Sequence, residues 1–94
     1  MRQATLGPQS MMGFAEVRDG HRKFEVCNCG DDDGRGAALS LRRKGHMDRL
    51  KLRAGEGAVI WIGPGKWNIV NTSQKDDPQQ ATVIWRALKN EHLS

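Results

Sequence analysis

The chain has 94 residues, 37% of them hydrophobic and 28% charged, with a net charge of +4. That suffices for one modest core, is too apolar for a disordered chain, and leaves no run near the roughly 18 apolar residues of a membrane span. Residues 1–10 lack the apolar block of a secretory signal, so a cytoplasmic protein without membrane association is expected.

Residues 1–10 contain Gly7-Pro8 and no periodic pattern, which predicts a flexible N-terminal arm ahead of a single β domain over residues 11–94. Segments 14–18 and 22–28 flank Asp19-Gly20, a dipeptide that supplies the positive φ angles of a tight turn, and predict a first hairpin. Asp31-Asp32-Asp33-Gly34-Arg35-Gly36 reads as a polar connection. Segments 37–43 and 47–53 predict a second hairpin about Lys44-Gly45. Alternation there puts Leu50 and Leu52 on one face and Arg49, Lys51 and Arg53 on the other.

Residues 58–62 are apolar on both faces, the mark of a central strand. Gly63-Pro64-Gly65-Lys66 has the composition of a type II turn, leading into a returning strand over 67–71. After a polar loop, Thr82-Val83-Ile84-Trp85 is β-branched or aromatic throughout, so residues 81–88 predict a last strand rather than a helix. About seven short strands result, an all-β antiparallel barrel or sandwich whose core is expected mainly in residues 58–88.

Charge is unevenly placed. Residues 42–53 carry a net +5 and the remainder of the chain −1. Arg42, Arg43, Lys44, Arg49, Lys51 and Arg53 are therefore the candidate phosphate contacts of a basic β-hairpin, several of them on a common face. RNA or single-stranded DNA is the leading partner, with Trp61, Trp67 or Phe24 available for stacking if exposed. The competing reading is a solvated, edge-protecting face on a structural or inhibitory protein that works through protein contact or homo-oligomerisation, such as an accessory protein of a virus or mobile element. Trp61, Trp67 and Trp85 are expected in the core.

Other constellations are weaker. His21, Cys27, Cys29 and His46 hold the atoms of a zinc site, but one residue separates the cysteines and the histidines are remote, so no metal or other cofactor is expected. The same cysteines, two apart on a strand, read as free thiols. Asp31, Asp32 and Asp33 miss the alternation and distal Glu of a calcium loop, though they could pair with the basic hairpin of another copy. No nucleophile turn, paired carboxylates or phosphate loop is present, which predicts a non-enzyme.

Leu50-Lys51-Leu52-Arg53-Ala54-Gly55-Glu56, continuing to Ile62-Gly63 and Ile69-Val70, resembles the opening of the carbon-storage-regulator family of small RNA-binding β proteins. The likeness covers about a fifth of the chain. More residues separate Glu56 from Ile62 than in that pattern, and Pro64 falls where the family has none, so no site residue is carried over.

Overall fold

The computed structural model describes residues 1–30, 35–46 and 48–88, with Asp48 and Arg49 described by their backbone alone. The strands in chain order are β1 (Arg2–Leu6), β2 (Met11–Val17), β3 (Arg22–Gly30), β4 (Leu39–Arg43), β5 (Asp48–Leu52), β6 (Gly57–Ile62), β7 (Gly65–Asn71) and β8 (Ala81–Ala87). Among the described residues there is no helix.

Two antiparallel sheets of four strands result, ordered β1-β8-β3-β6 and β2-β7-β4-β5. Strands 1 to 4 pair in turn with strands 8, 7, 6 and 5, as if one long hairpin had been rolled until β8 met β3 and β7 met β4. This is the strand order of a jelly roll. The alternative of a closed barrel does not hold, because each sheet keeps two edges.

The sheets share one core. The first contributes Leu6, Phe24, Val26, Ile62, Ala81, Val83 and Trp85, and the second Phe14, Val17, Leu39, Leu41, Leu52, Trp67 and Ile69. Their alternation with more exposed neighbours follows from the two-residue period of a strand, which turns every second side chain inward; β4 departs from it, with Ser40 buried between Leu39 and Leu41. The Phe14 and Phe24 rings meet edge to face across the two layers, 5.4 Å between centroids. More than half of these residues precede residue 58, so the core is not concentrated in residues 58–88 as expected.

Two asparagines are sewn into this core. Asn28 donates through Nδ2 to the carbonyls of Ala37 and Leu52, both 3.0 Å away, and its Oδ1 accepts from Gly30 N–H. Asn71 donates to the carbonyls of Leu6 and Gln79, and its Oδ1 accepts from Ser73 N–H.

Several expectations are corrected. Residues 1–10 were expected as a flexible arm, yet 2–6 form β1. Leu6 is buried, and the Thr5 and Thr82 hydroxyls bond across the β1–β8 pair at 3.2 Å. That strand raises the count from seven to eight.

Asp19-Gly20 bends the chain, with Gly20 alone of the pair at positive φ, 69°, and β2 and β3 lie in different sheets, so the bend crosses the core instead of closing a hairpin. Gly63 and Pro64 cross in the same way between β6 and β7, with Gly65 and Lys66 already paired in β7 instead of completing the expected type II turn. β6 is not central but an edge strand, with Val59 and Trp61 exposed. The β4–β5 hairpin and the final strand β8 form as expected. Asp31, Asp32 and Asp33 lie outside the described residues.

Candidate functional site

Three connections converge at one end of the two sheets: the β2–β3 crossing, the β4–β5 turn and the β6–β7 crossing. Between them is a cleft of about 570 Å³ lined by His21, Arg43, His46, Trp61, Gly63, Pro64 and Trp67. That volume is within the range of small-ligand sites.

The basic hairpin delivers its charge here through Arg43. Gly65 leaves room for the Arg43 stem, which lies where a glycine Cβ would otherwise stand. The guanidinium donates from Nη1 to the Pro64 carbonyl at 3.2 Å, and its Nη2 lies 3.3 Å from His46 Nδ1. A guanidinium can only donate, so this contact assigns the acceptor role to Nδ1 and the ring proton of neutral His46 to Nε2.

The aromatic side of the cleft divides in two. Trp67 is 6% exposed, and its indole N–H is spent on the Gly63 carbonyl at 2.9 Å, so it is part of the wall and of the core. Trp61 is 47% exposed on the outer face of β6, with Lys23 Nζ 5.8 Å from its ring centroid. An exposed indole beside cations is a stacking surface with a positive rim. The His21 ring packs on Gly63, where an added Cβ would stand 3.3 Å from its Nε2.

The six predicted phosphate contacts do not share one face. The β4–β5 register slips between Leu41 and Arg42, leaving Arg49 as the extra residue of a β-bulge. Arg43 shares a row with inward-facing Trp67 and turns to the cleft, while Arg42 and Lys51 fall on rows of the opposite, outer face. Lys44 is exposed on the turn, and Arg53 is exposed beyond β5, where its N–H donates to Glu56. Two directions of positive charge therefore leave the hairpin, one across the outer face and one into the cleft.

His21, Lys23 and Pro64 join this site from elements distant in sequence. No local pattern marks His21 or Lys23 as part of a binding site, and Pro64 stood out only as a turn residue. The structure brings His21 and His46 to the cleft and leaves Cys27 and Cys29 as free thiols on β3. Among the described residues no three metal-ligating side chains are grouped. Burial, with Cys27 alongside, pushes the Cys29 thiol up from its ordinary value.

A second cavity, about 340 Å³, involves Arg2, Arg22 and Arg86 near Trp85. Glu16 also lines it, and Arg86 is already paired with Glu25 at 2.8 Å, so its charge is largely offset.

No protein-family model matches the chain, and no curated protein or solved structure shows significant similarity to it. The residues that resemble the carbon-storage-regulator pattern fall in β5, β6 and β7, divided between the two sheets. Among the described residues no helix is long and apolar enough to cross a membrane.

Proposed function

We propose that this protein is a non-catalytic module that binds single-stranded nucleic acid, RNA or DNA. The observation that carries the reading is the exposed Trp61 sharing a cleft with Arg43 and His46 of the basic hairpin. A base stacks on Trp61, and Arg43 and the His46 Nε2–H face the adjoining phosphate. The strand continues over the hairpin, where Arg42, Lys44, Arg49, Lys51 and Arg53 supply further phosphate contacts.

Single strands are favoured over duplex because a flat indole needs an unstacked base, and every base has a face to offer. Stacking contributes about 1–3 kcal/mol per base, while the cations add a term that falls with salt. Sequence preference is expected to be slight.

Fluorescence polarisation with a labelled single strand of about 16 nucleotides, the upper site size of small β modules, tests the reading. Affinity should fall as salt rises, with a logarithmic slope of about −0.7 per phosphate contact. Lys44→Glu, Lys51→Glu and Arg53→Glu together should flatten that slope and leave the circular dichroism spectrum unchanged. Absence of binding at low ionic strength overturns the proposal.

A further inference from the structure

We infer that β6 is a self-association edge, through which two copies of this chain join into one continuous eight-stranded sheet. The dimer is argued from the edge alone; its consequence for ligand binding rests on the nucleic-acid reading.

The four edges are not equally protected. β1 carries Arg2 and polar Gln3 and Thr5; β2 carries Glu16 and a bulge; β5 carries Asp48, Arg49 and Lys51 and another bulge. These are the ordinary devices that stop a strand from recruiting another. β6 is Gly-Ala-Val-Ile-Trp-Ile, without charge, proline or register shift along its β3 pairing. Its outward side chains, Val59 and Trp61, are 52% and 47% exposed. Among the described residues no strand pairs with the outer edge of β6, and a row of open main-chain donors and acceptors flanked by apolar side chains is a template for one more strand.

A second copy fits that template in a definite register. Opposed residues of an antiparallel pair lie on the same face, so a twofold axis normal to the sheet must pass between two copies of the same residue. Placing Ile60 on the axis sets Val59 opposite Trp61 of the second copy twice, an aromatic and β-branched pairing of the kind that stabilises sheets. Lys23, which leans over Trp61, then faces the row of Glu25. Centring on Trp61 would instead bring the two Lys23 side chains to one row. Centring on Val59 would set Trp61 against Gly57 and lose the pairing.

In the Ile60-centred dimer the two Trp61 residues become diagonal neighbours, about 7–8 Å apart. Two half-exposed indoles then form one platform for bases of a single strand, with a basic cleft on either side. Neither copy offers that platform alone.

Sedimentation equilibrium of nuclease-treated protein without oligonucleotide is the test. Six residues a side make a small interface, so mass should rise from one chain to two between about 10 μM and about 1 mM. Val59→Lys should hold the protein at one chain with an unchanged circular dichroism spectrum. If that variant fails to fold, cross-linking decides. In a Cys27→Ser, Cys29→Ser background, an oxidised mixture of Val59→Cys and Trp61→Cys chains should form the mixed disulfide, and Val59→Cys alone should not.

A folded monomer at about 1 mM, a mass above two chains, a Val59→Lys dimer, or no mixed disulfide overturns the inference. A dimer that binds no oligonucleotide overturns the nucleic-acid reading alone. A monomer that binds one overturns the dimer alone.

Discussion

Asn28 and Asn71 are counterparts in opposite sheets. Each sits at 1% exposure or less, donates through Nδ2 to two main-chain carbonyls and accepts through Oδ1 the N–H two residues on, 2.9 Å away in both. Asn28 ties β3 to the end of β5 and the approach to β4, and Asn71 ties the end of β7 to the end of β1. The same local turn thus fastens the two layers in both directions.

Asn28→Ala would strand the Ala37 and Leu52 carbonyls and the Gly30 N–H inside the protein, an expected loss of about 2–4 kcal/mol. Asn71→Ala should cost less, because its bond to Gln79 is only partly buried. Urea denaturation should show both midpoints lowered, Asn28→Ala further, with unchanged m-values.

The tryptophans should separate function from stability. Trp61→Ala is expected to weaken oligonucleotide binding by about 1–3 kcal/mol, roughly 5- to 150-fold, with little change in melting temperature. Trp67→Ala should destabilise the fold by about 3–5 kcal/mol, since it removes a buried ring from the wall between the sheets. Equal melting losses in the two variants would contradict the division of roles.

Gly65 has φ 138°, a conformation that side chains rarely adopt, and its missing Cβ is the space that the Arg43 stem occupies. Gly65→Ala is therefore expected to cost about 1–3 kcal/mol and to move Arg43 out of the cleft. For a domain of this size each kcal/mol lowers the melting temperature by about 4–8 °C. Oligonucleotide affinity should fall in parallel, measured well below the melting temperature so that unfolding does not contribute.

Cys29 gives a pH-dependent expectation. Burial, then Cys27, raises its folded value above the ordinary 9.0, so the folded state holds that proton more tightly than the unfolded chain does. The resulting stabilisation is complete below the ordinary thiol value and is lost as pH rises through the folded one. Wild type should lose stability more steeply than Cys29→Ser above about pH 9. At pH 8, Cys29 should also react with iodoacetamide more slowly than in the denatured chain.

Much of this molecule was legible in the sequence, wherever the information was local. The Lys44-Gly45 hairpin and the β-branched run at Thr82, Val83, Ile84 and Trp85 depend on propensities that act within a few residues. Asp19-Gly20 marked a change of direction equally well, but Gly20 alone of the pair takes a positive φ, and the bend crosses between layers instead of closing a hairpin.

The partner of a strand is not encoded in its own segment. β1 looked structureless because its mate begins at residue 81, and Ala58-Val59-Ile60-Trp61-Ile62 looked central because an edge open to association has the same composition as a buried strand. The cleft was half legible. Arg43 belongs to a basic cluster that stood out in the sequence, whereas His21 and Trp61 reach the cleft only through two crossings of the core.

The rolled-hairpin pairing also dictates an order of events. Among the described strands only β4 and β5 are both neighbours in sequence and partners in a sheet, so their loop is by far the cheapest to close. Each later pair, 3 with 6, 2 with 7 and 1 with 8, spans a longer stretch of chain than the one before. Folding should therefore begin at the basic hairpin and zip outward, at the slow pace of a fold built on distant contacts. On a ribosome, β1 is made first and paired last. The nascent chain carries an unmatched strand until residues 81–87 have left the exit tunnel.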